Sequence, residues 1–293
     1  RSEARKQLIL DLSREEVCDA VIEMLTNVLK SAPISYVKWD MNRNMTEIGS
    51  PAWPAKKQKE VAHRYMLGLY KILENITTNF PNILFESCSG GGGRFDGGML
   101  YYMPQTWTSD DTDAIERLKI QEGTSLVYPV STMGSHVSAV PNHQVHRITP
   151  LHTRGVVAMA GSFGYELDIT KMTDEEKEEV KSQVKFYKNI RKTIQFGDLY
   201  RLKSAFDSNE AAWMNISKDG NNLVVSYVKK YAEANVLPKR LKLKALDENS
   251  LYEISETGEV FGGDELMYIG LEIGELNGDY QARSWTLRRI QEQ

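Results

Sequence analysis

The first 196 residues repeat a short apolar run followed by a segment with helical signals. Strand-like runs occupy positions 7–12, 36–40, 82–86, 105–109, 126–130 and 155–159, and helical segments follow at 13–29, 56–78, 113–121 and 173–194. Strands that alternate with helices in this way form parallel sheets. The pattern therefore predicts about six βα units, whereas a closed (β/α)8 barrel contains eight.

Three of these helical segments carry signals that indicate where they begin or which face is buried. Ser13 with Glu16 and Thr173 with Glu176 have the spacing of a capping box, which marks a helix start. In segment 56–78, apolar side chains recur at i, i+4 spacing on one face, at Val61, Tyr65, Leu69 and Leu73. These signals support three of the predicted helices.

The pattern changes after Phe196. Positions 223–228 and 241–246 have the pattern of strands, and the second alternates apolar with basic residues, as a half-exposed antiparallel strand does. Asp219-Gly220-Asn221 is a hairpin turn signal. The predicted fold class is therefore α/β. Residues 1–196 are predicted to form a partial (β/α)8 TIM barrel, about its last six βα units, and residues 197–293 a C-terminal antiparallel β-sandwich.

Composition excludes several classes of protein. The 293 residues carry a net charge of −4, with no basic stripe, so nucleic acid is not an expected partner. No apolar run reaches the roughly 18 residues of a membrane span, so no membrane partner is expected. Cys18 and Cys88 are too few for a disulfide framework, which suits a cytoplasmic protein. No signal peptide is visible, but the chain begins with Arg1 rather than Met.

An open barrel would expose unpaired strand edges. We therefore expect about two further βα units upstream of Arg1.

Asp40 ends the predicted strand at 36–40, and Lys38 points to the same side two residues earlier. A nearby ammonium keeps a carboxylate ionised, which a nucleophile requires. An ion-paired aspartate with a structural role at the strand end fits the residues equally well.

A second acidic group follows the strand at 105–109. Asp110, Asp111 and Asp113 crowd together there, and mutual repulsion with partial burial would raise one pKa, as a general acid requires. Aspartate is also a preferred N-cap residue, and that role fits at least one of the three. Two carboxylates at the carboxyl ends of parallel strands indicate a glycoside hydrolase, because these enzymes use a pair of acidic side chains for catalysis.

The run Gly90 to Gly93 lies between these acidic groups. It lacks the Gly-Lys-Ser/Thr ending of a P-loop, but glycines let the backbone approach a ligand closely. A loop without function is the alternative. Cys88 precedes it and is interpreted as a buried thiol, since no histidine base is evident beside it.

His136, His143 and His146 fall within a short segment. They lack the helical His-Glu-x-x-His spacing and cysteine partners of a zinc site, so a polar loop is favoured over a metal site. No metal and no cofactor are expected. Glu166 and Asp168 are interpreted as structural.

Together, six motifs closely resemble those of glycoside hydrolase family 36, the microbial α-galactosidases of melibiase and raffinase type. They are KWDMNR at 38–43, CSGGGGR at 88–94, SDDT at 109–112, MGSH at 133–136, PNHQ at 141–144 and GYELD at 164–168. Each motif is weak by itself, whereas their order and combination over essentially the whole chain are specific.

The resemblance implies retaining hydrolysis of terminal α-D-galactosyl residues in oligosaccharides such as melibiose and raffinose. Asp40 would be the nucleophile and Asp110 the general acid/base, with Asp111 as the alternative to Asp110. The carboxyl groups of a retaining enzyme lie about 5–5.5 Å apart. Residues implied in galactose binding are Arg5, Lys38, Asn42, Cys88, Gly90, Gly91 and Trp107.

The resemblance also implies what this sequence does not contain. Members of the family are longer and carry an N-terminal β-supersandwich and the first barrel strands, which supply an aspartate pair and a tryptophan to the sugar pocket. This chain resembles their C-terminal portion, so we expect it to be inactive or nearly so by itself. The family often forms tetramers. Other possibilities are α-N-acetylgalactosaminidase activity, galactosyl transfer as in raffinose synthases, or a non-catalytic sugar-binding fragment.

Overall fold

The computed structural model describes residue 3 and residues 6–290. Contacts divide the chain into two compact units, which we call the N-terminal unit, 1–110, and the C-terminal unit, 111–293.

The described residues of the N-terminal unit form three parallel strands and three α-helices. In chain order they are α1 (Glu15–Ser31), β1 (Tyr36–Asp40), α2 (Val61–Asn79), β2 (Leu84–Cys88), α3 (Gly97–Tyr102) and β3 (Gln105–Trp107), with a 3-10 helix at Ala55–Glu60. The strands lie side by side in the order β1, β2, β3. The parallel βα pattern predicted from the sequence is confirmed here, and β1 has the predicted bounds.

One face of these strands is covered by helices. Val37 and Trp39 of β1 pack against an apolar cluster that includes Phe85 of β2 and side chains of α1 and α2. The α2 residues predicted to share a buried face do so: Val61, Tyr65, Leu69 and Leu73 are all buried. Because side chains alternate along a strand, Lys38, Asp40, Glu86 and Cys88 lie on the opposite face.

The start of the chain departs from the sequence-based prediction. The predicted strand at 7–12 is not formed, and Leu8 and Leu10 are exposed. The capping box predicted at Ser13 is also wrong, because the N-cap residue of α1 is Arg14, which makes no side-chain capping hydrogen bond within the described residues. The Ser13 hydroxyl instead donates to Oδ1 of Asp11 at 2.5 Å, which removes it from the helix start.

The C-terminal unit begins with further βα structure. Its elements are α4 (Ala114–Ser125), β4 (Met133–Ser138), α5 (Leu151–Ala158), β5 (Ser162–Glu166) and α6 (Asp174–Phe196), and β4 pairs with β5 in parallel. The capping box at the start of α6 is confirmed, since Thr173 and Glu176 make both reciprocal hydrogen bonds.

Two strand predictions in this region are wrong. Segment 126–130 is not a strand: Leu126 and Val127 are exposed, and β4 follows at Met133. Segment 155–159 lies largely within α5, where every residue from Thr153 to Ala158 is buried. A short apolar run fits a buried helix as well as a buried strand, and here it is a helix.

The rest of the C-terminal unit is antiparallel. It contains β6 (Asp198–Lys203), β7 (Glu210–Ile216), β8 (Asn222–Lys229), β9 (Arg240–Leu241), β10 (Leu251–Ile254), β11 (Val260–Gly262), α7 (Gly263–Tyr268), β12 (Leu271–Glu272) and β13 (Gln281–Arg289). A six-stranded sheet has the order β11-β10-β13-β8-β7-β6, and β12 pairs with β9 in a second, two-stranded sheet. Side chains of both sheets share one apolar core.

The predicted hairpin turn is confirmed, since β7 and β8 are antiparallel and Gly220 between them has φ +73°. The predicted strand at 241–246 is wrong beyond Leu241. Leu243 and Leu246 are still buried while Lys242 and Lys244 are exposed, so the alternation reflects burial rather than strand pairing.

Among residues 3 and 6–290, no helix is long and apolar enough to cross a membrane.

Candidate active site

Side chains of the N-terminal unit form two layers on the face of β1, β2 and β3 that points away from α1 and α2. Asp40 lies opposite Cys88 in one layer. In the layer below, Lys38 lies opposite Glu86, which in turn lies opposite Gln105. Parallel pairing thus places the predicted nucleophile directly above a charged layer.

Asp40 is exposed at the end of β1 and is held by Asn42. The Asn42 side-chain amide donates a hydrogen bond to Oδ2 of Asp40, while its Oδ1 accepts the backbone N–H of Gly90 at 3.2 Å. A carboxylate that accepts a hydrogen bond while facing solvent is available as a nucleophile.

The glycine run is packed against the segment that carries Asp110. Gly91 has φ +83° and forms a bridge with Ser109. A Cβ atom on Gly91 would lie 2.5 Å from the Cα of Ser109 and 2.9 Å from the backbone nitrogen of Asp110. Only glycine fits this conformation and this contact, so the loop links the Asp40 side of the site to the Asp110 side.

Cys88 lies opposite Asp40 in the same layer and is buried. Burial raises the pKa of its thiol to about 11, and a hydrogen bond with Asp40 acts in the same direction. The thiol is therefore uncharged at neutral pH, consistent with its interpretation as a buried thiol and not a nucleophile.

Within the C-terminal unit, Asp113 and Asp111 have structural partners. Asp113 is buried, caps α4 by accepting the N–H groups of Ile115 and Glu116, and pairs with Arg147. Oδ1 of Asp111 accepts the N–H of Asp113 at 3.0 Å. The N-cap interpretation is therefore confirmed for Asp113.

Lys38 reaches towards Trp107. Its Nζ lies 4.9 Å from the centre of the Trp107 ring and 3.4 Å from Oε1 of Glu86. Trp107 is buried, so its ring acts as a wall behind the ammonium. Lys38 and Trp107, both predicted sugar-binding residues, are thus in contact.

Two residues with clear structural links to this site were not assigned roles from the sequence. Arg94 donates to the backbone oxygens of Trp39 and Cys88, at 3.2 and 3.0 Å, and so ties the ends of β1 and β2 together. Glu86 is buried and contacts Lys38. The spacing of Glu86 and Cys88 could have placed Glu86 on the face of the site, since residues i and i+2 of a strand share a face.

The histidine segment belongs to the C-terminal unit. His136 Nδ1 lies 3.2 Å from Oε2 of Glu166, and Asp168 caps the short turn at Ile169–Lys171. Among the residues that the structure describes, no cluster of three or more histidine, cysteine, aspartate or glutamate side chains could hold a metal ion. Arg5, predicted to contact the sugar, lies outside the described residues.

Comparison with known families and structures decides which family this arrangement represents. The Melibiase family model matches residues 1–197, and the model of the glycosyl hydrolase family 36 C-terminal domain matches residues 210–287. The chain belongs to glycosyl hydrolase family 36. The resemblance inferred from the six motifs is therefore confirmed.

Similar proteins are longer than this family 36 chain. Alpha-galactosidase AgaA of Geobacillus stearothermophilus is 62% identical over 292 residues, which is 100% of this chain and 40% of AgaA. Alpha-galactosidase Mel36A of Lactobacillus acidophilus is 52% identical over 287 residues, 98% of this chain and 39% of Mel36A. The chain thus spans about two fifths of the length of these relatives.

The solved structures agree with the predicted fold class. The crystal structure of AgaA superposes with a TM-score of 0.97 over 99% of this chain and 40% of the AgaA chain. Variants of AgaA have been crystallised with raffinose and with stachyose. The family 36 chain is therefore part of a (β/α)8 barrel followed by an antiparallel β-sandwich.

Proposed function

We propose that this family 36 chain supplies both catalytic carboxylates of a retaining α-galactosidase, which removes terminal α-D-galactosyl residues from oligosaccharides such as melibiose and raffinose. The observation that carries the proposal is the connection Asp40–Asn42–Gly90, continued by the contact of Gly91 with the backbone of Asp110. One glycine loop thereby ties together two strand ends that each present a carboxylate.

In the first step, the Asp40 carboxylate attacks the anomeric carbon. The bond to the leaving oxygen breaks, and the neutral carboxyl of Asp110 donates its proton to that oxygen. This forms a covalent galactosyl ester at Asp40. In the second step, the Asp110 carboxylate takes a proton from water, whose oxygen attacks the same carbon and releases Asp40.

Asp110 is preferred to Asp111 as the acid/base residue. Asp111 accepts the backbone N–H of Asp113, which commits one of its oxygens to the start of α4. Both aspartates are partly exposed, but Asp110 lies on the segment packed against Gly91. A proton donor must reach a substrate oxygen, and this position meets that requirement better.

Galactose binding is assigned to residues around this pair. Lys38 and Asn42 offer N–H donors to sugar hydroxyls, Cys88 and Trp107 line the base of the site, and the backbone at Gly90 and Gly91 allows close approach. Arg5 is retained in the proposal from the family resemblance.

The proposal is tested in a fusion in which this chain replaces the segment of AgaA that it matches. An aryl α-galactoside with a good leaving group is the substrate, and azide is added as an external nucleophile. In Asp110→Gly, the galactosyl ester still forms because the leaving group needs no proton. Azide then displaces Asp40 and gives α-galactosyl azide.

In Asp40→Gly, azide takes the place of the missing carboxylate and gives β-galactosyl azide. The matched control is Asp111→Asn, which keeps an acceptor for the Asp113 N–H and should retain activity without azide. The two product configurations identify nucleophile and acid/base separately. Azide rescue of an Asp111→Gly variant with the α product would transfer the acid/base role to Asp111.

Organisation, assembly and location are further parts of the proposal. Residues 1–196 would belong to the catalytic barrel and 197–293 to the β-sandwich domain, which is supported by the change from α6 to antiparallel strands at Asp198. A tetramer is proposed for the full-length enzyme, to be checked by light scattering. A cytoplasmic location is proposed because both cysteines are free thiols.

A further inference from the structure

Glu86 is a buried carboxylate that the proposed reaction does not use. It lies in the middle of β2, and only 2% of its surface is exposed. A carboxylate taken out of water is costly unless it is paired. The groups around Glu86 therefore indicate its role.

Its two oxygens have different partners. Oε2 accepts hydrogen bonds from the Tyr36 hydroxyl and from Nε2 of Gln105, the latter at 3.0 Å. Burial and the neighbouring Glu86 charge raise the pKa of Tyr36, so the phenol remains a donor. Two neutral donors on neighbouring strands thus fix the plane of the carboxylate.

Oε1 faces the Lys38 ammonium at 3.4 Å and has no hydrogen-bond partner among the described residues. The same ammonium lies 4.9 Å from the centre of the Trp107 ring. Lys38 is therefore held from one side by a charge and from another by an aromatic face. Because an ammonium has three N–H donors, it retains donors for sugar hydroxyls.

We propose that Glu86 is a positioning residue that holds the Lys38 ammonium in place for the galactosyl hydroxyls. This inference rests on the proposed function and adds a residue to it. Glu86 lies one layer below Asp40 and acts on the substrate only through Lys38. Without the carboxylate, the flexible four-carbon stem of Lys38 samples other rotamers, and the donor leaves its place in the site.

The kinetic test uses the AgaA fusion with Glu86→Gln, which keeps the size and an acceptor but removes the charge. We expect KM for melibiose to rise on the order of tenfold to hundredfold, the range expected when a hydrogen bond from a charged donor is lost, with kcat changed far less. The matched control is Ser87→Ala, one residue along β2 on the opposite face, whose hydroxyl has no hydrogen-bond partner in the described part of the chain.

A double-mutant cycle with Lys38→Met shows whether Glu86 acts through Lys38. In the Lys38→Met background, Glu86→Gln should leave KM unchanged within about twofold, since the group it positions is gone. The proposal would be overturned if the two substitutions raised KM by independent factors that multiply. It would also be overturned if Glu86→Gln lowered kcat and left KM unaltered.

A parent fusion without galactosidase activity would count against the proposed function. In that case, thermal unfolding of this chain itself tests whether Lys38 pairs with Glu86. Lys38→Met should lower the melting temperature by several degrees because it leaves Glu86 buried without a cation, and adding Glu86→Gln should recover part of that loss. Independent, additive losses would refute the pairing whatever the activity.

Discussion

The backbone nitrogen of Asp110 lies 2.9 Å from the point at which Gly91 would carry a Cβ atom. The glycine loop and the proposed acid/base residue are therefore in direct contact through their backbones. The Gly90 N–H of the same loop donates a hydrogen bond to Asn42, whose side-chain amide donates to Asp40. The backbone of the Asp110 segment is thus packed against a loop that tolerates no side chain at position 91.

Replacing Gly91 with alanine should displace the Asp110 segment. The added methyl would lie 2.5 Å from the Cα of Ser109, at a φ of +83° that disfavours side chains. In the AgaA fusion we expect kcat for melibiose to fall on the order of a hundredfold.

Gly97→Ala is the matched control for this change. Gly97 begins α3, and a Cβ there meets no atom of the described residues within 4 Å. Its kinetics should match those of the parent fusion. Full activity of Gly91→Ala would show that the contact does not set the position of Asp110.

The thiol of Cys88 should ionise at unusually high pH. Its pKa is about 11 against an ordinary value of 9.0, chiefly because of burial. In a Cys18→Ala background, the rate of alkylation by iodoacetamide should rise with a midpoint near pH 11 in the folded chain, while circular dichroism confirms that the fold persists. A midpoint near 9 would mean that the thiol is not buried beside Asp40.

The same shift predicts how stability depends on pH. Below pH 9 the thiol is protonated in both the folded and the unfolded chain, so its contribution is constant. As the pH rises from about 9 to 11, the unfolded chain loses the proton first, and the free energy of unfolding falls. In Cys88→Ala this part of the decline should be absent.

Gly68 in the middle of α2 allows close packing of the chain segment before α1. A Cβ on Gly68 would lie 1.9 Å from the backbone oxygen of Leu12. We expect Gly68→Ala to lower the free energy of unfolding by about 1–3 kcal/mol, measured by urea denaturation, despite the better helix propensity of alanine.

Gly123 of α4 provides the comparison, because among the described residues a Cβ there meets only the Phe206 ring, at 3.8 Å. Gly123→Ala should stabilise the chain by up to about 1 kcal/mol. If the two substitutions changed the free energy of unfolding equally, the close packing of Gly68 against Leu12 would be contradicted.

Asp113 should contribute to stability rather than to catalysis. It caps α4 and pairs with Arg147 while only 2% exposed. Asp113→Ala should reduce the free energy of unfolding by about 2–4 kcal/mol, because it removes a cap and leaves a cation without its main partner.

Asp168→Ala serves as its control, since Asp168 caps a short 3-10 turn from an exposed position. We expect a loss below about 1 kcal/mol. If Asp113→Ala lowered the free energy of unfolding no more than Asp168→Ala does, the structural role assigned to the Asp113 carboxylate would be contradicted.

The elements that the sequence predicts well are those in which periodicity and length agree. Strand β1 has its predicted bounds, and the buried face of α2 is the one marked by Tyr65 and Leu69. Helix α5 was predicted as a strand because its apolar run at 155–159 is too short for its period to be read. The capping box at Ser13 failed because the hydroxyl bonds Asp11, a competing local partner.

In the candidate site, too, some residues can be predicted from the sequence and others cannot. Motifs in the sequence point to Asp40 and Asp110, because family resemblance and position at strand ends agree. The role of Glu86 depends on register, since only pairing of β1 with β2 places it opposite Lys38. A local sequence pattern does not specify which residues of two strands pair when a helix separates those strands in the chain. The pairing of Lys38 with Glu86 is therefore seen only in the structure.

The central claim, that Asp40 is the nucleophile, is tested most directly by mass spectrometry after incubation with an activated 2-fluoro-galactosyl inactivator. In the AgaA fusion, we predict one added fluorogalactosyl group, mapped by peptide sequencing to Asp40 and absent from Asp40→Asn. Labelling of a different carboxylate, or no labelling in a fusion that hydrolyses melibiose, would contradict the account.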